Sequence, residues 1–83
     1  MRGRSRKLGV VENIAHDGSL IVRSGFAPST GAEVHDRRHR SLGRVQRVFG
    51  PTREPIVSVR PARPAPLSLV GADVYVSEGN HAH

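Results

Sequence analysis

Apolar positions in this chain come as short β-branched runs, broken every few residues by glycine, proline or aspartate. Eleven valines and three isoleucines stand against five leucines, a balance that suits pleated strands better than helices. Nine glycines and six prolines leave no long helical window open. Six strands are predicted: residues 8–15 (LGVVENIA), 19–24 (SLIVRS), 31–36 (GAEVHD), 42–49 (LGRVQRVF), 56–59 (IVSV) and 72–76 (ADVYV). His16-Asp17-Gly18 joins the first two as a hairpin, because an Asp-Gly pair between β-branched runs suits a tight turn. The polar stretch 37–41 joins the next two. Within 42–49, Leu42, Arg44, Gln46 and Val48 alternate with Gly43, Val45, Arg47 and Phe49, an imperfect period of two. Residues 60–66 (RPARPAP) carry three prolines, which predicts an extended connection rather than a central strand.

Six short strands with turns about every ten residues predict an all-β fold, a single small six-stranded closed barrel. Closure removes sheet edges that so small a chain could hardly protect. Residues 1–6 and 78–83 are expected to be short disordered tails around a barrel domain at 7–77. At 83 residues the chain is too short for a two-lobed enzyme with a cleft between its lobes. No run approaches the roughly 20 apolar residues of a membrane helix, and the charged N-terminus shows no apolar leader. Without cysteine there is no disulfide framework or thiolate site. A soluble intracellular protein is the default expectation. Of three aromatics, Phe26, Phe49 and Tyr75, at least two are expected in the core.

Charge changes the picture more than composition does. Residues 1–47 hold ten basic and four acidic groups, whereas 48–83 hold three of each, so the whole excess of +6 lies in the first half. It concentrates at Arg2, Arg4, Arg6 and Lys7 and again at Arg37, Arg38, Arg40, Arg44 and Arg47. Such asymmetry favours a polyanionic neighbour, nucleic acid ahead of a membrane surface because no amphipathic helix accompanies it. The guanidinium fork also fits carboxylates of a protein partner, and a solubilising surface is the plain alternative.

Candidate chemistry is sparse. His35 and His39 stand four apart, but a two-histidine metal site at that spacing needs a helix, and arginines surround this pair. A solvated loop is the expectation there, and no metal is assigned; nor is one assigned to His81 and His83 at the terminus. Asp17 and Asp36 sit where aspartate bonds its own backbone to start a turn. The serines and Tyr75 lack an evident base and orienting group, so no catalytic residue and no cofactor are predicted. The most specific segment is Phe49-Gly50-Pro51-Thr52-Arg53-Glu54-Pro55-Ile56. Gly50 lets the chain leave a strand with unusual dihedrals, Pro51 fixes the next turn, and Pro55 sets an extended start to the following strand. A loop this stiff loses little entropy when a partner orders it, although a plain tight connection would read the same way.

Together these segments resemble the Gar subunit of H/ACA ribonucleoproteins, in the Gar/Naf family of small barrels. The likeness is carried by LGVVENIAHDGSLIVRS, by the long central stretch from APSTGAEVHD to VSVRP, and by LVGADVYV. Its motif positions are Gly31, Val34, Asp36, Gly43, Val45, Val48, Phe49, Gly50, Pro51 and Pro55. Thr52 departs from an apolar position of the family and Ile56 from a common aromatic one. The long arginine-glycine tails of the eukaryotic members are absent, a further departure, and the short chain is expected to argue against the assembly-factor branch, whose members carry long extensions. The resemblance implies a non-catalytic subunit, monomeric within its complex, docked on the catalytic domain of a dyskerin-type pseudouridine synthase in an RNA-guided particle. It implies a part in substrate RNA loading and product release during rRNA modification. The location implied is intracellular, cytoplasmic in an archaeal-like cell and nucleolar in a eukaryotic one. Docking is expected at Gly50, Pro51, Pro55, Ile56 and Val57, and long-range RNA attraction at Arg2, Arg4, Arg6, Arg37, Arg38 and Arg40. Direct contact with the guide RNA stays open. Two other readings remain: a stand-alone RNA-binding barrel, which usually needs exposed aromatics, and a PRC-type barrel adaptor of ribosome maturation.

Overall fold

The computed structural model describes residues 4–78, and the valine-rich runs become six strands. These are β1 (Arg4–Ile14), β2 (Leu20–Ser24), β3 (Glu33–His35), β4 (Ser41–Phe49), β5 (Ile56–Pro61) and β6 (Asp73–Glu78). All pairings are antiparallel, and the sheet closes as a barrel in the order β1-β2-β5-β4-β3-β6. The fold is therefore the closed six-stranded all-β barrel that the strand count predicts. Inward-facing Leu8, Val11, Leu20, Val22, Val34, Val45, Val57, Val59, Val74 and Val76 fill it, each at most 2% exposed. Burial of each side chain contributes roughly 1.5–3 kcal/mol.

The imperfect period of β4 has a structural cause. Val45 pairs with Val59 and Arg47 with Ser58, so Gln46 is an extra residue, a β-bulge. The bulge shifts the phase: Val45 and Val48, three apart, both pack on the core, and Phe49 turns outward. Gln46 is itself engaged, since its Oε1 accepts the hydroxyls of Ser58 at 3.1 Å and Ser19 at 3.3 Å. Two further bulges in β1, around Leu8 and Glu12, likewise let Leu8 and Val11 both reach the core.

Several boundaries differ from the expectation. β1 begins at Arg4, so residues 4–6, expected in a tail, pair with Glu78, Ser77 and Val76 of β6. Backbone pairing tolerates polar side chains here, since Ser5 and Arg6 are exposed. β3 stops at His35 because the Asp36 carboxylate bends the chain, its Oδ1 accepting the backbone N–H of Arg38 at 2.8 Å and of Arg40 at 2.9 Å. Asp17 does the same for the N–H of Ser19 at 3.0 Å. β5 runs on to Pro61, which the ladder accepts because the next bond comes from the Ala62 N–H to the Leu42 carbonyl. Beyond it, a short 3-10 turn at Leu67–Leu69 interrupts the proline-rich connection.

Candidate functional site

The register of the barrel lines up one outward row across four strands: Val10 beside Arg23, Arg23 beside Ile56, and Ile56 beside Phe49. Phe49 is 48% exposed and Val10 37%, while Ile56 is half-buried. Arg23 lies in the row with its guanidinium on Glu12 at 2.9 Å, an exposed pair worth little in stability. At the end of this row the chain turns through Gly50, whose φ of 95° an L-residue adopts only with strain. Pro51, Thr52, Arg53 and Glu54 then stand exposed.

The five residues expected at the docking corner separate into two groups. Gly50, Pro51 and Ile56 lie at the surface, whereas Val57 is wholly inside the core and the Pro55 side chain is fully buried. The Pro55 carbonyl accepts the N–H of Ser24 at 3.1 Å, which ties the loop to β2. Pro55 and Val57 thus fix the corner's position and present nothing to a partner. Phe49, which was not among the expected docking residues, is the large apolar side chain exposed there. None of the three aromatics is fully buried: Phe26 and Tyr75 are half-buried. The signal for Phe49 was the Val45–Val48 spacing, which breaks the alternation.

The arginines also separate. Arg2 lies outside the described residues, as does the side chain of Arg4. Arg6 lies over the Phe26 ring, its guanidinium carbon 3.6 Å from the centroid, in cation–π geometry. Arg37, Arg38 and Arg40 are exposed together on the β3–β4 turn, with Arg40 paired to Asp36 at 3.3 Å.

At that turn the structure joins the His35 and His39 pair to Tyr75, a partner the sequence spacing did not indicate. His35 pairs with Tyr75 across β3 and β6, their rings 6.0 Å apart and 19° from parallel. His39 also stacks on His35, at 5.1 Å and 24°. The three rings form a ladder, His39–His35–Tyr75, with its middle rung 5% exposed and its His39 end exposed. The solvated loop expected at His35 and His39 holds for His39 alone. Burial pushes the His35 imidazole below its ordinary value, and His39 adds to the shift, against opposing pulls from Glu33 and Asp36. His35 Nε2 also lies 2.6 Å from Ser5 Oγ. A serine–histidine contact of this kind begins a nucleophile–base pair, yet the Asp36 carboxylate nearby is committed to the turn and to Arg40. Among the described residues, no three metal-ligating side chains come together.

No family model matches this chain. It is 34% identical over 58 residues to an uncharacterized protein of Methanothermobacter thermautotrophicus, an alignment covering 70% of this chain and 63% of that protein. The chain thus spans under two thirds of that relative's length. Among solved structures it is similar to the Gar1 domain of NAf1, with a TM-score of 0.72 and 14% identity over 92% of this chain and 84% of that one. The barrel therefore has a Gar1-like fold.

Proposed function

We propose that this chain is a non-catalytic subunit of an H/ACA RNA-guided pseudouridylation particle. It docks on the catalytic domain of a dyskerin-type pseudouridine synthase and aids substrate RNA loading and product release. The observation that carries the reading is the corner where Phe49, 48% exposed, meets Ile56 beside the Gly50-Pro51 bend, on a barrel of Gar1-like fold. An exposed aromatic on a rigid bend is the type of anchor that dominates protein interfaces. The bend is held by two prolines and by its tie to β2, so little conformational freedom is lost on docking. Assignment to the Gar branch rather than the assembly-factor branch belongs to the same proposal and rests on the sequence resemblance.

The test is titration calorimetry of the full chain into a purified dyskerin-type synthase, repeated with Phe49→Asp and Ile56→Asp. Both positions are outside the core, so the variants should keep the wild-type circular dichroism spectrum. Expected is a one-to-one complex that weakens at least about thirtyfold in Phe49→Asp, as for loss of a hot spot of about 2 kcal/mol. No complex with the wild-type chain, or equal affinity in folded variants, refutes the reading.

A further inference from the structure

The ladder at the β3–β4 turn has no part in the docking contact. Strand β4 runs from Ser41, next to the turn, to Phe49 at the docking corner. Nine residues of strand place the two ends roughly 26 Å apart. A partner seated on Phe49 leaves His39 uncovered.

We propose that the His39 end of the ladder is a stacking platform for one unpaired nucleotide of single-stranded RNA. Arg37 and Arg38 hold the flanking phosphates. Three observations converge on it. First, exposed His39 stacks on buried His35 at 5.1 Å, and His35 in turn on Tyr75 at 6.0 Å, so the His39 ring rests on a packed partner rather than standing as a lone mobile side chain. Aromatic platforms of this kind take bases without regard to sequence, because every base has a π-face. Second, Arg37 and Arg38 precede His39 on the same turn and are exposed, while the opposing charge of Asp36 is engaged by Arg40 and by two backbone amides. Guanidinium groups bind phosphate oxygens by paired hydrogen bonds. Third, a cleft of about 270 Å³ opens beside the rings, lined by Ser5, Lys7, Arg37 and Tyr75 among others. That volume is near the lower limit for small-ligand pockets, about 300 Å³, and suits a nucleotide better than a larger group.

The turn is already shaped for the task. The Asp36 carboxylate and the His39 N–H to Asp36 carbonyl bond at 3.0 Å pin five residues, with His39 at φ 65°. A base therefore meets a surface that needs no rearrangement. That the polymer is RNA rests on the proposed function; the ring and charge geometry does not.

The experiment uses the full chain alone, with uniform nitrogen and carbon labels, titrated with a short oligouridylate at low salt. The ring resonances of His39, His35 and Tyr75 should shift together with the amides of Arg37 and Arg38. Resonances of Phe49 and Ile56 should stay still. His39→Asn, which keeps the left-handed backbone position, should weaken binding at least about fivefold. Arg38→Gln should weaken it with a shallower salt dependence. An RNA duplex should leave the ring resonances unmoved. Unshifted rings, shifts confined to the Phe49 corner, or full affinity in His39→Asn overturns the proposal. Because no synthase is present, its failure is separate from failure of the docking assignment, which Phe49→Asp reports.

Discussion

Gly43→Ala should damage this barrel more than its one added methyl group suggests. Gly43 sits buried on β4 opposite Pro61 of β5. A Cβ at that position would fall on the Arg60 carbonyl oxygen, 2.8 Å from the Arg60 carbonyl carbon and 2.8 Å from the Pro61 Cα. Ordinary contact begins near 3.4 Å, so β4 and β5 must separate by more than half an ångström. Extra methyl groups forced into a packed core cost about 1–3 kcal/mol, occasionally more. Here the obstacle is backbone held in a ladder, so the loss should be about 3 kcal/mol or more. The whole domain has on the order of 4–12 kcal/mol to lose. The assay is urea unfolding followed by far-ultraviolet circular dichroism, with Gly25→Ala as the comparison. Gly25 has open space around it and should change stability by under about 0.5 kcal/mol. With a slope near 1 kcal/mol per molar urea for so small a domain, the Gly43→Ala midpoint should fall by about 3 M. Equal midpoints in the two variants would refute the close-approach argument, and with it the reason that the Gly43 motif position requires glycine.

Two further outcomes follow from buried polar groups. His35 is held below its ordinary value near 6.5, so the unfolded chain takes up a proton before the folded one does. Stability should therefore fall as pH drops through about 6.5, level off once folded His35 itself protonates, and fall again below 3.8 as Asp17 and Asp36 lose their turn contacts. His39, Glu33, Asp36, Lys7 and Arg37 all face or border that ring; His35→Phe should erase the upper step in melting temperature alone, and survival of that step would assign it elsewhere. Gln46→Ala removes the acceptor of two hydroxyls, on Ser19 and Ser58, that are 7% and 8% exposed. It should cost about 1–3 kcal/mol in urea unfolding with an unchanged slope, and a loss under about 0.5 kcal/mol would mean that water replaces the amide.

Local chemistry carried much of this fold into the sequence. β-branched runs and an Asp-Gly turn specify strands and hairpins through contacts a few residues apart, and six such strands in a small chain are driven to close on themselves. The Asp36 and Asp17 turns were legible for the same reason: each carboxylate bonds amides within four residues. The Gly50-Pro51 bend was legible because dihedral preference is a property of single residues. Apart from the two hairpins, what depended on which strands become neighbours, and in which register, was not. The Gln46 bulge is set by register against β5, and it alone decides that Phe49 points to water while Val48 packs inside. Val57 and Pro55 looked like surface candidates because they lie beside the bend in sequence, yet pairing with β2 and β4 buries Val57, and the Pro55 ring is buried just before the strand begins. The ring ladder joins residues 35, 39 and 75 through a β3–β6 pairing created only by barrel closure. Short-range preference is written residue by residue, but the surface a partner meets is decided by register, and register exists only once the barrel has closed.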